Sequence, residues 1–270
     1  MFIANDLITM TDGDSKEVNA VAVQDGIIIE VGKQEALVDK YQSLDGFVLN
    51  DEFSDNVLTP GFVEPHIHLW LMAILSGTEF ITPSSWNLPW GDVEGITGWD
   101  NYKQRIIELE AQTPGNEPLV TWGYHNYFHG AHMSREFLNS VSTDRPIIVW
   151  HRSFHELFFN DAAIAMFGWD EESWSGEETK YEQLDWERGH AYEAGAKVIL
   201  NDVMRFWVEE GLFAKGMERT KEYVHSGGIT TAIDPGVIAT PEMFEQVVSI
   251  MERDFLPMDY WLMPRETLLT

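Results

Sequence analysis

Short apolar runs separated by polar residues occur near the start of the chain and indicate strands. Apolar runs at Ala20-Val21-Ala22-Val23 and Ile27-Ile28-Ile29-Glu30-Val31 flank Asp25-Gly26, a strong signal for a tight hairpin turn. A third strand is expected around Phe47-Val48-Leu49. Residues 1–58 are therefore predicted to form a small β layer.

The middle of the chain mixes helical and strand signals among many aromatic residues. Helices are predicted to begin at Asp100 and Ser134. Asn160 is expected to cap a short helix that ends at Gly168. The run from Asp144 to His155 indicates a buried strand that leads into a polar turn. The acidic stretch from Asp170 to Glu187 is predicted to be an exposed loop.

The last quarter alternates helix and strand. Asp202 to His225 has the spacing of one amphipathic helix, and Ile229 to Asp234 follows as a strand. Thr240-Pro241-Glu242 is typical of a helix start, with the helix continuing to about Arg253, and a last strand is expected over residues 257–263. This alternation is typical of a βα barrel.

Composition narrows the functional classes. The chain has 17 Lys plus Arg against 45 Asp plus Glu, a formal net charge of −28, which argues against nucleic acid or an anionic membrane as partner. It has no cysteine, so a metal site must use histidine and carboxylate ligands. The start resembles no signal peptide and no apolar run reaches about 18 residues, so a cytoplasmic location is expected.

A candidate metal site follows an apolar strand. A buried strand over Gly61 to Val63 is predicted to deliver His66 and His68 at its C-terminal end. Side chains two residues apart on a strand point the same way, about 6–7 Å apart, so both imidazoles can converge on one ion. The alternative is a pair of histidines that is merely hydrogen-bonded.

The surrounding sequence resembles the amidohydrolase superfamily. Its first barrel strand typically reads Pro-Gly-hydrophobic-hydrophobic-(Asp/Glu)-x-His-x-His, and Pro60 to His68 fits at every position, with Glu64 in place of the commoner aspartate. Gly227 to Asp234 is similar to the second barrel strand. The segment between them resembles the YtcJ-like branch, amidohydrolase family 3, which includes N-substituted formamide deformylases; the fitting residues are Trp122-Gly123-Tyr124, the run Asp144 to His155, and Asn160.

The resemblance implies an α/β fold of three parts. An N-terminal β-sandwich portion over residues 1–58 would precede a partial TIM-type (β/α) barrel over residues 59–270, which carries a large α+β insertion at about 70–205 after its first strand. A complete barrel takes about 250 residues, so about three of its eight βα units are expected here. We therefore expect the N-terminal portion of an amidohydrolase: a truncated product, an incomplete record or half of a split enzyme. A complementary C-terminal chain or a homo-oligomer is the expected partner.

The resemblance also implies site residues. His66 and His68 would be ligands of a divalent metal, with zinc as the expected ion, and His155 would contact the substrate from the insertion. Glu193 is either an acid that faces the site or a solvated loop residue, and Asp234 is either functional or a helix cap.

The other histidines carry weaker signals. His125, His129 and His132 lie close together, as a metal cluster or, more simply, as a polar turn. His151 and His190 carry no specific signal.

The activity that the resemblance implies is metal-assisted hydrolysis of a non-peptide carbon–nitrogen bond in a small-molecule amide. The aromatic insertion suggests an apolar substituent on nitrogen. The alternative is a catalytically inactive truncated protein or an interaction module derived from an amidohydrolase, because the later ligands of the family have no place in this sequence.

Overall fold

A computed structural model describes residues 1–11, 18–172, 183–237, 241–254 and 258–264. It divides into two compact units, residues 1–62 and residues 63–270. Each unit has its own apolar core. The described residues form a mixed α/β fold and no closed barrel.

The first unit is a small β structure with one helix. Its elements are β1 (Phe2–Ile3), β2 (Asp6–Leu7), β3 (Ala20–Gln24), β4 (Ile27–Gly32), α1 (Gln34–Tyr41) and β5 (Val57–Leu58). The predicted hairpin is confirmed, since β3 pairs antiparallel with β4 across the turn at Asp25 and Gly26. The strand expected at residues 47–49 is wrong: only Asn50 makes an isolated bridge, to Phe2.

The second unit carries the remaining described elements. Its strands are β6 (Phe62–Glu64), β7 (Glu79–Phe80), β8 (Leu119–Tyr124), β9 (Ile147–His151), β10 (Glu156–Phe159), β11 (Leu184–Asp185), β12 (His190–Tyr192), β13 (Ile229–Val237) and β14 (Asp259–Pro264). Its helices are α2 (Leu69–Ser76), α3 (Trp99–Gln112), α4 (Asn126–His129), α5 (Arg135–Val141), α6 (Asp161–Phe167), α7 (Glu193–Glu209), α8 (Leu212–Ser226) and α9 (Pro241–Asp254).

A six-stranded sheet with the order β11-β12-β10-β9-β8-β7 forms the centre of the predicted insertion. Successive residues of β9 face opposite sides: Ile148 and Trp150 enter one apolar cluster, Ile147 and Val149 the other. Helix α3 packs on the second side, and α2, α7 and α8 supply apolar residues to the first. Both faces of this sheet are therefore covered.

A second sheet of unit two has the order β14-β13-β6, with β13 and β14 parallel. Helix α9 connects β13 to β14 along the chain. The sequence predicted a buried first strand, but Phe62 and Val63 are 58% and 62% exposed, because the described residues supply no layer that covers them.

Helices α3, α5 and α6 confirm the predicted starts. Ser134 caps α5, its hydroxyl accepting a hydrogen bond from the Phe137 N–H at 3.1 Å. Asn160 caps α6 in the same way, through the Ala163 N–H at 2.9 Å, and Gly168 ends that helix.

The helix predicted from Asp202 to His225 is wrong as one element. It is two helices, α7 and α8, separated at Gly211, whose φ of 74° interrupts the helix. The loop expected from Asp170 to Glu187 contains β11, and its residues 173–182 lie outside the described ones. Thr240 and Pro257, predicted at element starts, also lie outside them.

Helix α2 is apolar on all sides and packs closely on α8. A Cβ at Gly216 of α8 would lie 1.6 Å from the Ala73 carbonyl oxygen of α2, so only glycine allows this approach. This contact fixes the helix that begins directly after His68. In the part of the chain that the structure describes, no helix is both long and apolar enough to cross a bilayer.

Candidate active site

Strand β6 and helix α2 hold the two predicted metal ligands between them. His66 and His68 follow the strand, and His68 is the N-cap residue of α2. Their rings lie edge to face, with centroids 5.4 Å apart. Both side chains are exposed, His68 by 46%. The structure therefore brings the two imidazoles together at an accessible surface.

Asp234 orients one of these histidines from the neighbouring strand. Its carboxylate, fully buried, lies 3.1 Å from His68 Nδ1. An ionised carboxylate can only accept a hydrogen bond, so Nδ1 carries the hydrogen and Nε2 keeps its lone pair. Metal-binding histidines are commonly held in this way, with the second ring nitrogen bonded to a carboxylate.

The same carboxylate makes two further hydrogen bonds. It accepts from the Trp70 N–H at 3.0 Å, in the first turn of α2, and from the Tyr260 hydroxyl at 2.8 Å. Burial, with the nearby Asp234 charge, raises the pKa of the Tyr260 hydroxyl, which therefore stays a donor. Asp234 thus accepts a hydrogen bond from the first turn of α2, as the helix-cap interpretation predicted, and it also contacts His68; its functional role stays a prediction.

His155 and Glu193 form a second polar pair. His155 Nδ1 lies 3.1 Å from a Glu193 carboxylate oxygen, with the side chains 61% and 58% exposed. The backbone joins them too, since the Glu193 N–H donates to the His155 carbonyl at 2.9 Å. Glu193 begins α7 with a left-handed backbone, φ 50°. These contacts place the carboxylate beside the imidazole.

A cavity of about 320 Å³ joins this pair to the start of α2. Trp70 and Leu71, which directly follow the His68 region, line it together with His155 and Glu193. Its other walls are apolar: Trp150, Phe154, Leu157, Ala196, Leu200 and Met204. The His155–Glu193 pair is therefore the polar part of an otherwise apolar cavity. Two residues of its wall, Trp70 and Leu71, follow His68 closely in the sequence.

The histidine trio forms neither a metal cluster nor a simple polar turn: His125 caps the short helix α4, and His129, its last residue, is fully buried. His129 Nδ1 accepts from the His125 N–H at 3.0 Å, and the His125 ring accepts from the Tyr127 N–H at 3.2 Å. His132 is exposed. Burial lowers the pKa of His129 to about 4, so this residue is neutral at physiological pH.

The sequence assigned no role to His151 and His190, yet both lie around one carboxylate. Glu156 bonds His190 Nε2 at 2.8 Å and lies 3.8 Å from His151 Nδ1. The His190 bond lowers the pKa of Glu156, and burial lowers that of His151. The one sequence signal was position: His151 ends β9 and His190 begins β12, the two strands that flank β10, which begins at Glu156.

No group of three or more histidine or acidic side chains among the described residues is arranged to hold a metal ion. The possible ligands after β6 are two imidazole nitrogens, and the Glu64 carboxylate at the end of the strand accepts a hydrogen bond from the His66 N–H at 3.1 Å. Two nitrogens fit two positions of a tetrahedral zinc site, which needs three or four ligands. The residues present fit part of such a site.

The chain can be compared with known proteins by sequence and by fold. No protein-family model matches the chain. YtcJ of Bacillus subtilis (strain 168), which is named as an amidohydrolase, is 29% identical over 163 residues, covering 59% of this chain and 27% of YtcJ.

Two solved structures share the fold. Metal-dependent hydrolases of uncharacterized function from Pyrococcus horikoshii OT3 and Pyrococcus furiosus superpose with TM-scores of 0.64 and 0.62 at 17% and 14% identity. The alignments cover 91% and 92% of this chain but 44% and 46% of those proteins, so the chain spans less than half the length of these relatives. Sequence similarity to YtcJ thus supports the predicted resemblance to the amidohydrolase superfamily, and the two hydrolase structures show the shared fold over part of their length.

Proposed function

We propose that the chain is part of a metal-dependent hydrolase that cleaves a non-peptide carbon–nitrogen bond of the amide type. His66 and His68 are two ligands of its divalent metal, with zinc as the ion. The observation that carries the proposal is the Asp234 carboxylate 3.1 Å from His68 Nδ1, because it turns the free Nε2 of His68 into a ligand beside His66.

Each residue has a defined part in this chemistry. His66 and His68 would hold the divalent ion, which would polarise the substrate carbonyl and lower the pKa of a bound water towards about 7. Asp234 holds the proton on His68 Nδ1 and keeps the ring in one orientation. Tyr260 and the Trp70 N–H fix the carboxylate in turn. The remaining metal ligands come from outside the described residues.

The cavity beside α2 is the proposed substrate site. Its apolar walls accept an apolar substituent on the amide nitrogen and exclude water, and His155 contacts the amide. Glu193 holds the His155 ring through Nδ1, so Nε2 is left for the substrate. We propose that His155 positions the amide.

The sheet β14-β13-β6 is, on this proposal, the first part of a (β/α) barrel, with the six-stranded sheet inside the insertion. Three facts support it: the strands follow in chain order across the sheet, β13 and β14 are parallel, and α9 connects them. Further strands, from another segment or from a complementary chain, would then pair with β14. A cytoplasmic location remains part of the proposal.

A non-catalytic interaction module is the alternative. The set of two described metal ligands and the exposed apolar side chains of the three-stranded sheet favour it. The two proposals differ in whether His66 and His68 bind metal, and in whether amide turnover accompanies binding.

Calorimetric titration of the 270-residue chain with zinc tests the ligand assignment. We expect one weakly bound zinc ion per chain. The zinc affinity should fall at least tenfold in His66→Ala and in His68→Ala. Asp234→Asn should weaken binding about 10-fold or more while both ligands remain. His132→Ala, at an exposed histidine of the trio, is the matched control and should bind as the unaltered chain does.

Equal zinc affinity in all four variants would exclude the assignment. Histidine-dependent binding without zinc-dependent hydrolysis of N-substituted amides, in the chain combined with its remaining barrel strands, would favour the interaction module. Hydrolysis that His155→Ala reduces without loss of zinc would support the proposed substrate contact.

A further inference from the structure

Phe154 borders a second cavity that the proposed hydrolysis does not use. This aromatic cavity measures about 410 Å³ and is lined by six aromatic side chains: Phe80, Trp86, Trp90, Trp122, Phe154 and Tyr223. Phe154 also lines the His155 cavity, so its ring is a wall shared by both.

The aromatic walls support one another. Trp122 packs edge to face on Phe80 and Trp86, with ring centroids 5.2 and 5.9 Å apart. The Phe154 ring stacks on Trp122 at 5.6 Å with an interplanar angle of 18°. Rings held by such contacts form a rigid apolar surface, suited to a planar apolar group.

Arg152 is the cation of this cavity. It is one of the lining residues, and its backbone N–H is already used, donating to the Tyr124 carbonyl at 2.8 Å. No described residue pairs with its guanidinium, and no described acidic residue lines the cavity. In a chain with 45 acidic residues, a half-buried arginine without a carboxylate partner leaves a binding position for an anion.

Arg219, which lies nearby, is already engaged. It donates to the Ser76 carbonyl at 2.7 Å and its guanidinium lies 5.4 Å from the centre of the Trp90 ring. It therefore supports the Trp90 wall, and Arg152 alone supplies a free charge among the described lining residues.

The turn that carries Arg152 is held in a strained conformation. Phe154 has φ 68°, the left-handed region, which costs a non-glycine residue of order 1 kcal/mol or more. Arg152, on one side of Phe154, lines the aromatic cavity, and His155, on the other side, lines the neighbouring one. Strain of this kind is commonly retained at ligand sites.

We propose that the aromatic cavity binds a small aromatic carboxylate, its ring against Trp86, Trp122 and Phe154 and its carboxylate on the Arg152 guanidinium. A planar guanidinium pairs with a carboxylate through two parallel hydrogen bonds, which a neutral amide cannot match. This binding site does not rest on the proposed hydrolysis and needs no metal.

Calorimetric titration with 3-phenylpropanoate and its neutral amide, 3-phenylpropanamide, tests the proposal on the full chain without metal. The carboxylate should bind at least about tenfold more tightly than the amide. Arg152→Gln should remove this preference and leave amide binding unchanged. Trp86→Leu should weaken both ligands, because it removes an aromatic wall and not the charge.

Arg105→Gln is the matched control, since Arg105 lies on the surface of α3 and reaches Glu108 at 3.8 Å. It should bind both ligands as the unaltered chain does. Equal affinity for the two ligands in the unaltered chain, or no binding of either at millimolar concentration, would overturn the proposal, and neither result depends on how well a variant folds. A preference that survives Arg152→Gln would overturn it as well.

Discussion

The two sheets of the second unit are built from comparably apolar strands, but only the six-stranded one is covered on both faces. Ile147, Ile148 and Val149 of β9 are fully buried, whereas Trp261 and Met263 of β14 are 65% and 54% exposed. Apolar surface in water destabilises a fold by about 25 cal/mol per Å² relative to burial. The described residues therefore cover the six-stranded sheet, and the sheet that carries Asp234 and lies beside His66 and His68 is the one that needs further cover.

Hydrogen exchange should show the largest difference between the two sheets. We expect backbone amides of β13 and β14 to exchange at least 100-fold faster than those of β8 and β9, because few apolar contacts oppose local opening of the exposed edge. Exchange measured amide by amide on the chain checks this. Equal protection in both sheets would mean that the chain covers its edge, for example by self-association.

Asn160→Ala should destabilise the covered sheet by about 3 kcal/mol. The buried side chain accepts from the Ile147 and Ala163 N–H groups and donates to the Ser142 and Arg145 carbonyls, at 2.8–2.9 Å. Urea unfolding measures the loss. Asn139→Ala, which removes one solvent-exposed bond, is the control and should cost less than about 1 kcal/mol. Similar costs for both would contradict the comparison.

Acid should weaken the covered sheet through His129. Its pKa is about 4 in the folded chain against an ordinary 6.5, so between these values the folded state binds fewer protons and stability falls as pH falls. From pH 7 to pH 5 the loss should be about 2 kcal/mol. His129→Gln should flatten this dependence in urea unfolding, and His132→Gln should not. Unchanged pH dependence in His129→Gln would disprove the assignment.

Trp261→Lys, in the exposed sheet, should have the smallest effect on the free energy of unfolding among these variants and the largest effect on self-association. We expect the chain to self-associate through its uncovered apolar edge, as an oligomer or as aggregate, and the lysine to weaken this by about tenfold. Light scattering measures it. Tyr127→Lys, at a side chain 79% exposed on the insertion, is the control and should not alter association. A compact monomer in the unaltered chain would contradict the expectation.

Local chemistry predicted the elements whose signals lie within a few residues. The Asp25-Gly26 hairpin and the caps at Ser134 and Asn160 are of this kind, and all three are present. Helix α2 was missed because Leu69–Ser76 is apolar throughout and therefore shows no period. The break at Gly211 was missed because the apolar face on either side suggested one continuous helix.

In the candidate site, too, local sequence signals predicted some features, and contacts between distant residues were missed. The spacing of His66 and His68 on one strand end predicted their approach, and the structure places the rings 5.4 Å apart. The Asp234 bond to His68 and the Glu156 bond to His190 join distant parts of the chain, and no local pattern marks such pairs. Tertiary contacts of this kind could be found only from the fold.

The bond between His68 and Asp234 spans 166 residues, which has a consequence for biosynthesis. At translation rates of about 5–20 residues per second, His68 leaves the ribosome roughly 8–33 s before Asp234 does. During that interval both histidines are present on the nascent chain without the carboxylate that orients His68. If the proposed metal site is correct, an ion captured early would meet two imidazoles before either is held in place, so loading is expected to follow the synthesis of β13.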